Sequence, residues 1–308
     1  MRKFLPFLFA AALASSCIDN AYDLSNANTD DVTIGDEDSE YRLPLATVYV
    51  SMSELNEGGA DIKTLFDEAD IWLPSPLPGN AAYVDLRELQ NTPETITPLL
   101  DALIDQMMDD DAKITAVADL LAEKYLSTFL PLLPPNTDPA DFKPVFIEAF
   151  RNMPMLHDRL SGEVKSLAGS YLTELKVQDV TYDIGKIDIG GDVVDMLCEN
   201  LDSEGTPNPK NTLHLYGSIT SALPVSLRLV PYFSPTNVRF DVTVEPGKTN
   251  EIRETQLFES DLRQIIEGAE IILPVSLEKY YPGYDFTSDQ QIVITLRLIK
   301  RGGLKLNL

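Results

Sequence analysis

Few residues in this chain are equipped for chemistry. It has two histidines, His157 and His214, and two cysteines, Cys17 and Cys198. A zinc site needs several nitrogen or sulfur ligands at close spacing, and neither histidine has an HxH or HxxxH partner. His157, beside Asp158 and Arg159, reads as a solvated group on a helix. His214, between Leu213 and Leu215, reads as pointing to the wet face of a strand. Asp109-Asp110-Asp111 offers oxygens to a hard cation such as Ca²⁺. It lacks the alternating spacing and central glycine of a calcium loop, so an acidic link that caps the next helix is the simpler expectation. Paired acids for glycoside hydrolysis must face each other across a cleft. With 49 Asp and Glu in the chain, neighbouring acids arise by chance and carry no weight. No GxSxG elbow and no glycine-rich phosphate loop occurs. Cys198, in Val193-Val194-Asp195-Met196-Leu197-Cys198, reads as a small buried apolar group. The expectation is a protein that is not an enzyme and carries no cofactor and no metal.

Two stretches are more informative. Tyr280-Tyr281-Pro282-Gly283-Tyr284-Asp285-Phe286 lies between two strand-like runs. Aromatic loops contact proteins or sugars because rings supply large area at low entropy cost. Tyr280, Tyr281, Tyr284 and Phe286 are therefore the candidate partner contacts; the competing reading is a hydrophobic plug over the end of the β structure. Trp72, in a proline-rich run, reads as core or edge packing.

The other stretch is Leu13-Ala14-Ser15-Ser16-Cys17. Arg2 and Lys3, then the apolar run Phe4 to Ala14, read as a secretory signal over residues 1–16. That run is too short to span a bilayer, which takes about 20 apolar residues. Small residues leading straight to Cys17 resemble the bacterial lipobox, which implies that Cys17 is lipidated. Acyl chains on one cysteine bury methylenes at about 0.8 kcal/mol each, enough for a lasting anchor. The alternative is plain secretion with Cys17 incidental.

The formal net charge is −25. Such acidity disfavours nucleic acid and anionic membrane surfaces. Residues 17–40 are polar and acidic, too poor in apolar groups to offset ordering entropy, and read as a disordered leash. Cys17-Ile18-Asp19-Asn20-Ala21-Tyr22-Asp23-Leu24-Ser25-Asn26, followed later by Leu43-Pro44-Leu45, resembles the opening of an uncharacterised family of outer-membrane, surface-exposed lipoproteins from Bacteroides-type bacteria. The resemblance covers the first 45 or so residues. It implies an envelope location and membrane attachment through the lipid, and it assigns no catalytic residue.

The elements that would hold any site follow from periodicity. Leu43 to Met52 reads as a strand with a phase slip. Ile62, Leu65 and Phe66 read as a short helix leading into a strand over Ile71–Leu77. Helical spacing then runs through four segments: Leu99–Met108, with Thr97 as cap; Ile114–Phe129; Phe142–Met153, opened by Asp138-Pro139; and Leu156–Tyr171. From Leu175 the period is two, in runs around Val180–Ile184, Ile187–Ile189, Leu213–Leu215, Leu223–Leu229, Val238–Val244, Ile271–Leu277, Ile292–Leu298 and Leu304–Leu308. A short helix interrupts at Asp192–Leu201. Gly302-Gly303 reads as a hairpin turn between the last two runs. Residues 62–77 and 262–277 share Ala, Ile, Leu, Pro and Leu at matched positions, as two copies of a helix–strand joint or by chance.

The fold class expected is α+β: a β segment at 41–92, a helical bundle inserted at 93–172, and an antiparallel β-sandwich at 173–308. The function expected is a non-catalytic surface binding or assembly module with a protein or glycan partner. Two alternatives stand beside it: an envelope hydrolase using paired carboxylates, and a pilus-like structural subunit.

Overall fold

Along the strand Gln291–Arg301 burial mostly alternates, the mark of an antiparallel ladder with one dry face, whereas Val225–Leu229 is buried on both faces. The computed structural model describes residues 32–51, 62–177, 179–287 and 289–306. Cys17, the signal segment and most of the acidic tract lie outside them. Among the described residues the fold is mixed, with nine α-helices and several antiparallel sheets. Among the described residues no helix is long and apolar enough to cross a membrane.

The sheet with the longest strands has four, in the order β2 (Glu40–Ser51), β12 (Gln291–Arg301), β5 (Thr212–Ser221), β9 (Thr249–Leu257). The N-terminal strand thus lies against a strand from the end of the chain, with Val48 opposite Ile294 and Val50 opposite Ile292. The phase slip is real: the register shifts between Leu296 and Arg297, opposite Ala46 and Pro44. Strand β9 gives little signal in sequence. Its buried residues, Ile252 and Leu257, are five apart, because the ladder to β5 slips between Leu215 and Gly217 and flips the phase.

Two smaller sheets share their connections. One orders β3 (Val84–Asp85), β11 (Val275–Tyr280), β6 (Val225–Leu229) and β8 (Val242–Val244). The other orders β4 (Val180–Asp183), β10 (Glu270–Leu273) and β7 (Tyr232–Ser234). Pro274 splits β10 from β11, and Val230-Pro231 splits β6 from β7 at the same level, where the Val230 N–H donates to the Pro274 carbonyl at 3.3 Å. A proline carries no N–H for a ladder, so the breaks fall there. Of the expected strands, Ile187–Ile189 is irregular, its Ile187 N–H given to the carbonyl of Ile266, and in the Val238–Val244 run only Val242–Val244 forms a strand.

The last strand, β13 (Leu304–Leu306), does not fold back on β12. Both flanks of β12 are taken by β2 and β5, so β13 pairs instead with β1 (Val32–Ile34). Residues 32–40, the described end of the segment expected as a leash, are structured, because the free edge of β13 gives Val32–Ile34 backbone partners. Gly302 (φ +84°) and Gly303 make the sharp turn, and a Cβ on either would strike Asn211 or Thr33.

The helices are α1 (Ile62–Trp72), α2 (Leu86–Asn91), α3 (Thr97–Asp109), α4 (Asp111–Lys124), α5 (Leu126–Phe129), α6 (Phe142–Asn152), α7 (Pro154–Glu174), α8 (Gly191–Cys198) and α9 (Glu259–Gly268). Helices α3, α4, α6 and α7 bury one face each, through Leu103, Met107, Val117, Leu121, Phe146, Phe150, Val164 and Leu172. Asp110 caps α4, accepting from the Ala112 and Lys113 N–H groups. Thr97 does not cap α3. It is the first helical residue, because a 3₁₀ turn over Pro93–Ile96 already precedes it. Helix α1 runs through Trp72, and no strand forms over Ile71–Leu77. The matched stretch at 262–277 differs at one decisive place: Gly268 (φ +124°) stops α9, whereas Glu68 lets α1 continue.

Candidate functional site

The C-terminal turn of α1 is held in place by charges and amides from the bundle. Lys113, buried on α4, donates its ammonium to the carbonyls of Asp70 (3.0 Å) and Leu73 (2.5 Å). These are carbonyls that a helix end leaves without partners. Burial pushes the Lys113 ammonium down to about 8. Beyond the turn, Gln106 of α3 clasps the Ser75 peptide on both sides, accepting from its N–H and donating to its carbonyl at 2.9 Å each. The run Leu73-Pro74-Ser75-Pro76-Leu77 is thus fixed in space rather than left as a floppy connection.

Opposite it lies the aromatic loop joining β11 to β12. The structure divides the four candidate contacts. Tyr280 is 1 % exposed and Phe286 3 %. Phe66 of α1 stands 4.6 Å from the Tyr280 ring and stacks on Phe286 at 4.8 Å between centroids. These two residues are core and cannot meet a partner directly; they are the plug, burying apolar area that the sequence pattern alone assigned to either role. Tyr281 is half-buried and Tyr284 is 65 % exposed. Tyr281 packs against the exposed Tyr83 at 5.6 Å, and the Lys279 ammonium sits 4.7 Å over the Tyr83 ring.

Between the turn and the loop is a cleft of about 450 Å³, lined by Asp70, Leu73–Leu77, Asn80–Ala82, Pro282 and Gly283. Its walls are mostly prolyl, alanyl and backbone surface. Its one carboxylate is Asp70, half-buried on the last turn of α1. The Tyr280 hydroxyl donates to Asp70 Oδ1 at 2.7 Å, and the Gly283 N–H also donates to it. Burial nevertheless raises the Asp70 carboxyl above its ordinary value and raises the Tyr280 phenol well above the usual range. Sequence reading missed Asp70 because nothing marks it among so many acids. The signal that could have found it is the short separation of a helix end from a proline-rich turn.

A second buried acid belongs to packing. Glu68 accepts from Tyr125 (2.8 Å) and Lys124 (2.5 Å), with Trp72 Nε1 at 3.4 Å. Trp72 is fully buried. The histidines stay apart. His157 is half-buried, not solvated: its Nδ1 meets the Phe150 carbonyl at 2.7 Å and its ring packs edge-on to Phe150. His214 lies on the outer face of β5, 3.9 Å from Glu254, and burial beside Arg301 lowers its pKa. Asp110 and Asp111 serve as cap and as partner of Arg151. Among the described residues no group of three or more His, Cys, Asp or Glu is placed to hold a metal ion. Cys198 is buried, and its thiol is pushed up to about 11 by that burial.

No protein-family profile and no curated protein matches the chain. One solved structure with local likeness is that of a protein inferred to be secreted, from Parabacteroides distasonis ATCC 8503. It is 18 % identical, with a TM-score of 0.30, over 41 % of this chain and 38 % of that one.

Proposed function

We propose that this chain is a lipid-anchored protein of the cell envelope, displayed outward as a non-catalytic binding or assembly module. Its contact face is the mouth of the cleft between α1 and the β11–β12 loop. The observation that carries this reading is a fixed cleft lined by Pro282 and Gly283 of the aromatic loop, whose chain neighbours Tyr281 and Tyr284 are half-buried and exposed. Large rings next to a preformed concavity are what small binding sites use. A two-carboxylate hydrolase needs a pair of acids roughly 5–10 Å apart across the substrate, and the cleft lining supplies one. Attachment through Cys17 rests on the lipobox-like spacing and on the resemblance to surface lipoproteins. The β2–β12–β5–β9 sheet and the two linked smaller sheets are proposed to pack as the two layers of a sandwich. The mostly alternating burial along β12 supports this, as does the bridge between Ser221 and Pro246.

The test screens the purified chain, residues 18–308, on a glycan array and a displayed peptide library beside the Tyr281→Ala/Tyr284→Ala variant. Ligands that bind the parent and not the variant support the reading. Ligands that bind both equally, or an empty screen with folded protein, contradict it.

A further inference from the structure

Asp70 is half-buried at the cleft, and burial holds its carboxyl above the ordinary value despite the hydrogen bond from Tyr280. Its protein partners are two neutral donors, the Tyr280 hydroxyl and the Gly283 N–H. The nearest cation is Lys113, whose ammonium is turned to the carbonyls of Asp70 and Leu73 on the protein side of the turn. Asp67, one turn earlier on α1, adds negative charge, and no basic residue lines the cleft. The lining also includes Pro74, Pro76, Leu77 and Pro282, which suit a short methylene chain, together with the polar Ser75 and Asn80. A cation already packs on a neighbouring ring: Lys279 lies over Tyr83, which itself packs on Tyr281.

We propose that this cleft binds a primary ammonium group on a short aliphatic stem, with Asp70 as its counter-ion and the tyrosine rim as its outer contact. The proposal deepens the binding reading above by naming the ligand chemistry. Three features converge on it. A half-buried carboxylate with neutral partners gains most from a cation that brings charge and a hydrogen bond together. The prolyl and leucyl part of the lining gives the stem an apolar surface to lie on. The overall charge of −25 draws cations toward the surface. The ammonium is carried either by a free diamine or by a lysine side chain of a partner.

The experiment is a calorimetric titration of residues 18–308 with cadaverine, with the tripeptide Gly-Lys-Gly, with 1-pentanol and with glucose. Cadaverine or the tripeptide is expected to bind, and which of the two binds more tightly distinguishes a free amine from a lysine-bearing partner. Pentanol, which lacks the charge, is expected to bind at least about tenfold more weakly. Asp70→Asn preserves an acceptor for Tyr280 and Gly283, and is expected to lose about tenfold or more in amine affinity. Should that variant fail to fold, the comparison of cadaverine with pentanol on the parent still decides. Equal binding of pentanol and cadaverine, undiminished amine binding by a folded Asp70→Asn variant, preference for glucose, or no amine binding would overturn the proposal. Loss of screened ligands in the Tyr281/Tyr284 variant alongside silent amine titrations would leave the binding reading standing and remove only this ligand class.

Discussion

Two lysines do work in this molecule that their residue type does not advertise. Lys113 and Lys300 are both buried and both give their ammonium groups to pairs of backbone carbonyls, Lys300 to those of Arg301 (2.8 Å) and Gly303 (3.3 Å). Burial depresses both to about 8. From about pH 8 up to the ordinary lysine value, the unfolded chain therefore binds more protons at these positions than the folded one. Stability must rise with pH across that window. Tyr125, Tyr171 and Tyr280 act oppositely above the ordinary tyrosine value, and the Cys198 thiol above its ordinary value of 9, because the folded groups hold protons that unfolded ones release. Melting temperature measured against pH should thus climb between about pH 7.5 and 9.5 and then fall. Lys113→Met should flatten part of the climb; a curve that falls steadily from pH 7 would refute this assignment. The Cys198 thiol, buried and raised, should react with a thiol reagent at least about a hundredfold more slowly in folded 18–308 than in denaturant.

At the scale of elements, the apolar spacing of the bundle was legible from sequence, as was most of the strand pattern, because one-sided burial writes itself into the period. The failures have local causes. Helix α1 overran its expected end because position 68 is Glu rather than the glycine that stops α9. The expected hairpin failed because both flanks of β12 were already occupied. Strand β9 was silent because its bulge breaks the alternation. At that same bulge Gly217 faces the Thr295 carbonyl so closely that a Cβ would collide with it. Gly217→Ala should cost about 2 kcal/mol, seen as a lowered urea midpoint with an unchanged slope; an unchanged midpoint would mean the ladder shifts freely. Asp110→Ala should cost about 1 kcal/mol by uncapping α4.

Across the whole molecule, the aromatic loop joins the sheets to α1, and α1 joins them to the bundle, so the cleft sits where the two halves meet. Composition showed the acidic surface, and the residue types showed the aromatic loop. Neither could show that Tyr280 and Phe286 turn inward onto Phe66 while Tyr284 turns outward, since that choice depends on a helix more than 200 residues earlier in the chain. The envelope anchor is a separate claim with its own check: cells fed labelled palmitate should label the intact protein and not a Cys17→Ala variant. Label retained by the variant would place the lipid elsewhere.

The most direct test of the contact face is photo-crosslinking in intact cells with a photoreactive amino acid placed at position 284 or at position 155. Both Tyr284 (65 %) and Met155 (91 %) are exposed, and only the first lies on the loop whose Pro282 and Gly283 line the cleft. Discrete adducts from position 284 and none from position 155 are the predicted result. Adducts from both in equal measure, or from position 155 alone, would contradict the account.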